Sequence, residues 1–251
     1  MSPIAISFVA FAFVFAGALL GMFLRIVLPL DHVDTNSKDV VKLGMGLVGT
    51  MAALVLGLLI ASAKSSFDTQ SAELTEMSSK LVLLDRVLAH YGPEARESRD
   101  LVRAAVSRTL DGMELQARTR NSHFDPMSAG SEVLYDKVQG LVPANDAQRT
   151  TQGQALGLVI ALGQMRWLMY EQRASTVSMP LVVVLISWLT IIFVSFGLFA
   201  PVNPTVLTSL FVSALSFSGA IFLILEMYTP YGGLIQISSA PLRAALAHLG
   251  Q

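Results

Sequence analysis

The sequence predicts an all-α integral membrane protein, with four transmembrane helices and a helical extramembrane domain between helices 2 and 3. Three observations predict it. Residues 1–24, 43–63 and 174–225 carry no charged side chain, and a span needs only about 20 apolar residues to cross a hydrocarbon core about 30 Å thick. Of the 35 charged side chains, 27 fall between Lys64 and Arg173, so one polar insertion interrupts the apolar chain. With 53% hydrophobic and 14% charged residues and a mean hydropathy of +0.59, the chain is more apolar than a soluble domain of its length.

The spans are expected at residues 4–28, 41–63, 180–199 and 205–227, with Pro201 and Pro204 in "FAPVNPT" breaking the last apolar block in two. The first span lacks the basic start of a signal peptide, and its apolar run exceeds the usual 7–15 residues, so an uncleaved helix is expected. The chain thus divides into residues 1–63 (spans 1 and 2), 64–178 (a helical domain), 179–228 (spans 3 and 4) and 229–251 (a tail with a terminal helix). Four spans put both termini on the side of the domain. Lys64, Arg166, Arg173 and Arg243 on that side, against Arg25, Lys38 and Lys42 opposite, favour a cytoplasmic domain.

Within the insertion, Phe67, Leu74, Leu81 and Leu88 recur every seven residues, and Met77, Leu84 and Tyr91 fill the alternate register, with Gln70 out of pattern. This is an a/d seam of the coiled-coil type. Nothing between Ser62 and Tyr91 stops a helix, so span 2 and the seam are expected to form one rod, ended by Gly92 and Pro93. A second helix follows from Pro93 to about Arg120, with Leu101, Ala105, Leu110 and Met113 on its packing side and Arg96, Arg99 and Arg103 on a solvated one. The loop "NSHFDPMSAGS" leads to a short helix, 131–141. Asn145 as N-cap and Gln148 three residues later open a last helix that can run to Ser178.

Composition and motifs exclude several functions. A net charge of −1 gives no sign of a nucleic-acid partner, and the absence of cysteine removes disulfides and thiolate metal sites. Gly44-Met-Gly46-Leu-Val-Gly49 matches the dinucleotide spacing G-x-G-x-x-G, but no strand precedes it and a span follows. His32, His90, His123 and His248 show no metal-site spacing and read as surface or packing residues. No cofactor, metal or catalytic constellation is expected.

Span 2 is the unusual element. Gly49, Ala53, Gly57, Ala61 and Ser65 put a small residue at every fourth position. On a helical wheel Gly46, Thr50, Ala53, Gly57, Ala61, Lys64 and Asp68 share an arc of about 120°, with Ile60 its one bulky member. Two readings stand: close helix packing of the small-xxx-small kind, or the wall of a pore in an oligomer, with Ile60 as an apolar constriction. On span 4, Glu226 lies near the membrane boundary with Tyr228 and Tyr231. It is either interfacial within an aromatic belt or turned into the bundle as a functional acid.

The last forty residues, "AIFLILEMYTPYGGLIQISSAPLRAAL", resemble the closing motif of the bacterial bestrophin-like family of unknown function. The positions are Glu226, Pro230, Tyr231, Gly233, Ser238, Pro241 and Leu242. Leu56–Asp68 and Leu83–Ala95, "LLDRVLAHYGPEA", look like that family too. The resemblance implies a homo-oligomeric anion channel with four spans, a helical cytoplasmic region and a pore lined by span 2. No acidic calcium clasp has a counterpart, since no carboxylate side chain follows span 4. Gly46, Thr50, Ala53, Gly57, Ile60, Ala61, Lys64 and Asp68 are then the expected pore lining, with the seam as a neck. Ions, membrane lipid and further copies of the chain are the expected partners. The alternative is a non-conducting, membrane-anchored helical scaffold or sensor, in which the small stripe packs against spans of its own subunit.

Overall fold

A computed structural model describes residues 2–27, 35–119, 131–174 and 178–250. It contains α1 (Pro3–Val27), α2 (Thr35–Tyr91), α3 (Arg96–Thr119), α4 (Ser131–Gln139), α5 (Asp146–Ala174), α6 (Met179–Phe199), α7 (Pro204–Met227) and α8 (Ala240–His248), with a 3-10 turn at Pro93–Ala95. Among the described residues there is no strand, and the all-α membrane class holds. α1, α2, α6 and α7 are each long and apolar enough to cross a membrane. The loop at 121–130, Arg120 and the expected continuation through 175–177 lie outside the described residues, as do His32 and His123. Ser178 is not the end of α5, as expected, but the N-cap of α6, with Pro180 in the first turn of that helix.

The chain forms two compact units. One comprises Met1–Ser65 and Thr176–Tyr228; the other comprises Ser66–Ser175 and Thr229–Gln251, so the tail belongs to the helical domain.

In the membrane unit α1 packs on α6 and α7. Small residues set the α1–α6 distance. An added Cβ on Gly21 would stand 2.0 Å from the Val194 carbonyl oxygen, and one on Gly197 would stand 2.1 Å from that of Ala18. Gly17 meets Thr190 and Val194 in the same seam. In lipid there is no hydrophobic drive between helices, so backbone approach of this kind supplies the van der Waals contact that holds them. On the other side of α1, the buried Ser218 hydroxyl of α7 donates to the Ser7 carbonyl at 2.6 Å. Phe211 meets Phe11 and Phe15 edge-on, with ring centres 5.4 Å apart in both pairs. Asn203 caps α7 by accepting the Val206 amide at 2.8 Å, and Pro204 follows it, which explains why "FAPVNPT" separates two helices. The Arg25 guanidinium donates to the Ala200 carbonyl at the end of α6.

In the helical domain the whole seam is used. Leu74, Met77, Leu84, Leu88 and Tyr91 are buried with Val102, Val106, Leu110, Met113, Val159 and Leu242, and Phe67 and Leu81 pack against them. The heptads therefore serve the domain's own core: a seven-residue period states which face is apolar, not whether a partner helix comes from the same chain. On α3 the deeply buried positions include Val102 and Val106, while Leu101 and Ala105 are only half-buried.

Gln148 behaves as expected and does more. Its amide donates to Asn145 Oδ1 at 2.8 Å, and its side-chain oxygen accepts from Ala144 at 2.7 Å. Its Nε2 donates to the Tyr91 carbonyl at 2.9 Å, so one residue caps the start of α5 and the end of α2. Between them Gly92 takes φ 131°, a conformation that L side chains rarely adopt.

Candidate functional site

Along α2, the side turned to the rest of the membrane unit is made by Ala52, Leu59 and Ala63, with Val55 and Leu56 partly buried. The small face points elsewhere. Gly46, Thr50, Ala53, Gly57, Ile60, Ala61 and Lys64 are all exposed in this unit, Ile60 at 43%. An added Cβ on Gly44, Gly46, Gly49 or Gly57 would meet nothing within 4 Å. This is the reverse of Gly21 and Gly197, where the glycines are filled by neighbouring backbone. Asp68, on the same helix, is exposed in the helical domain. Beside the small face Leu47, Leu54 and Leu58 are 62–75% exposed, a bulky apolar flank of the kind that lipid or another copy covers.

Seven of the eight expected lining residues, Gly46 to Lys64, are thus exposed in the membrane unit, and the glycines among them meet no neighbouring atom. The Thr50 hydroxyl donates back to the Leu47 carbonyl at 2.8 Å, which satisfies its proton and leaves its oxygen outward.

Glu226 is fully buried near the end of α7, which corrects the interfacial reading. Tyr231, expected in an aromatic belt, lies instead in the buried core of the helical domain. Tyr228 is half-buried, its hydroxyl 3.2 Å from that of Ser62. The turn that precedes α8 is held by the Ile237 amide donating to the Pro230 carbonyl at 2.9 Å.

A second buried carboxylate had no place in the sequence reading. Asp85 on α2 is 1% exposed and accepts two hydrogen bonds from Arg99 of α3, at 2.8 and 2.9 Å. The Gly250 amide adds a third at 3.2 Å. Burial pushes the Asp85 carboxyl up, but the Arg99 and Gly250 hydrogen bonds and the charges of Arg99 and Arg86 outweigh it. The group is held below its ordinary value. Arg99 is therefore not part of a solvated row. Its charge is the counterion of a core acid, although Arg96 and Arg103 are exposed.

His90 is exposed, its Nδ1 2.7 Å from the Arg86 carbonyl, and among the described residues no cluster of His, Cys, Asp or Glu has the form of a metal site.

No curated protein and no solved structure matches the chain. A family model described as a bestrophin-like domain matches residues 12–242, from within the first span to the start of the last helix. The chain is a membrane protein of the bestrophin-like family.

Proposed function

We propose that the chain is the subunit of a homo-oligomeric ion channel in which α2 lines the pore. The observation that carries this reading is the open small face. A lipid-facing helix gains nothing from glycine and alanine, which leave its backbone ill-covered, nor from Thr50 and Lys64 on the same arc. Copies of α2 around an axis would turn this face to water and leave the bulky flank to neighbours and lipid. The scaffold alternative asked the stripe to pack within its own subunit, and the exposure of Gly46, Ala53 and Gly57 leaves that contact unmade. Ile60 would form the apolar constriction, and Lys64 at the mouth would favour anions, with Asp68 one turn later tempering the preference. The proposal includes no catalytic step, cofactor or nucleic-acid partner.

Reconstitution in planar bilayers tests it. Discrete single-channel currents are expected from the purified oligomer. Gly57→Leu should lower or abolish unitary conductance while leaving subunit stability within about 0.5 kcal/mol, because nothing occupies the added volume. Lys64→Glu should shift the reversal potential toward cation preference in a salt gradient. A pure, assembled protein that passes no current would sink the reading.

The domain and both termini are assigned to the cytoplasmic side of a bacterial inner membrane. Since the chain has no cysteine, a single Ala244→Cys reports sidedness cleanly. It should react with a membrane-impermeant maleimide only after the cells are opened. Labelling of intact cells would reverse the topology.

A further inference from the structure

The four spans of the membrane unit are not held alike. In α1, α6 and α7, 28–33% of the residues of the apolar window are buried, against 11% in α2. α1 and α6 close on each other through filled glycines, whereas none of the glycines of α2 is filled. What α2 gives to the core of this unit is a narrow edge, Ala52, Leu59 and Ala63. Contacts along one line hold a helix in place but do little to stop it turning about its own axis.

The end of α7 is the opposite case. Ile224, Leu225 and Glu226 are at most 4% exposed, so this turn is firmly seated. Tyr228 follows as the cap of α7, its ring packed against the same core. Its hydroxyl lies 3.2 Å from that of Ser62 on α2. Serine and threonine within helices commonly bond back to a carbonyl of the turn before, as Thr50 does to Leu47. Ser62 instead reaches across to another span, and a fixed point thus meets the loosely held helix.

The place of Ser62 on α2 gives this bond its leverage. Two residues turn a helix by about 200°, so Ile60 and Lys64, each two residues from Ser62, both lie on the far side of the helix from it. They stand within about 40° of each other. A pin at Ser62 therefore sets where both of them point.

We propose that Tyr228 is a positioning residue for the pore helix: its hydrogen bond to Ser62 fixes the rotation of α2 that turns Ile60 and Lys64 toward the axis. This rests on the channel reading for the axis, but the pin has a readout that needs no current. Because the chain has no cysteine, single Met51→Cys, Leu54→Cys, Val55→Cys and Leu58→Cys variants can carry a nitroxide in the full chain in lipid nanodiscs. Oxygen accessibility at these four positions reports which way α2 is turned.

The parent should show a distinct order of accessibilities around the helix. Tyr228→Phe, which removes the hydroxyl and keeps the ring, should flatten that order, as should Ser62→Ala, while Ser62→Thr should preserve it. Tyr228→Phe with Ser62→Ala should go no further than either alone, since both remove the same bond. In planar bilayers the ratio of open to closed time should change about fivefold in Tyr228→Phe, the worth of one neutral hydrogen bond. The SDS unfolding midpoint read at Trp188 of α6 should stay at the parent value. A drop in that midpoint would make Tyr228 a general packing residue and overturn the assignment. An unchanged order of accessibilities in Tyr228→Phe would overturn the pin whether or not the protein conducts. A flattened order with no current from parent or variant would uphold the pin and remove the channel reading.

Discussion

Gly21→Val will prevent α1 from packing on α6. The β-carbon alone would stand 2.0 Å from the Val194 carbonyl oxygen and 2.9 Å from the Leu198 amide nitrogen. Backbone cannot swing aside as a side-chain tip does, so the helices must separate by an ångström or more along the seam. Forcing extra volume into a packed contact costs typically about 1–3 kcal/mol. This contact is at the upper end or beyond, because separation also strips Gly17 and Gly197 of their opposing atoms. Gly197→Val, which meets the Ala18 carbonyl from the other side, should behave alike, and the pair together should cost less than the sum, since one separation serves both. Unfolding by SDS titration in mixed micelles, followed through the half-buried Trp188 of α6, reads the effect. Gly57→Leu is the internal control, with no loss expected. Equal midpoints for Gly21→Val and Gly57→Leu would refute the α1–α6 geometry.

The second large effect lies in the helical domain. Asp85→Ala leaves the Arg99 guanidinium, 22% exposed, without its counterion, and breaking a buried pair in this way costs about 3–5 kcal/mol. Asp85→Leu with Arg99→Met, which removes both charges, should recover most of the loss. Acid should act in the same direction as the single variant. The folded carboxyl is held below its ordinary value of about 3.9, so the unfolded chain binds the proton first. The pair's contribution is present in full above that value and fades as pH falls through the lower, folded one. Urea midpoints of the parent chain should therefore drop between pH 7 and pH 3 by more than those of the doubly apolar variant. Identical pH dependence in the two would show that Asp85 is not the acid-sensitive group.

Much of this was readable from the sequence because charge-free blocks of 20 residues and a seven-residue apolar period are set by local physics: the thickness of a bilayer and the pitch of a helix. The four spans, the uninterrupted α2 and the Asn145–Gln148 cap follow from those alone. What could not be read depends on partners distant in sequence. Asp85 and Arg99 are 14 residues apart on different helices, and their meeting depends on how α3 folds back after Gly92. The seam from Phe67 to Tyr91 announces an apolar face but not which helix covers it. Glu226, a step from the end of α7, sits where exposed acids are common, and only packing shows that it is buried. Gly17 and Gly21 are a different case. G-x-x-x-G in an apolar segment is a recognised sign of close helix contact, and it was in plain view in span 1. The longer stripe in span 2 has the same residue types but meets no neighbouring atom within the chain, since composition does not say which glycines are filled.

The hydrogen bond from the Gly250 amide to Asp85 has a consequence for how the protein is made. The acid is on α2, whereas its last donor leaves the ribosome only after α6 and α7, the two remaining membrane spans, have been synthesised. The helical domain therefore cannot finish its core on its own schedule. Leu242, Leu249 and Tyr231 arrive from the same late segment. Until the final spans have been made, the nascent domain holds a buried charge one bond short and an apolar core without its closing wall. Completion of the helical domain's core is thereby tied to synthesis of the last two spans.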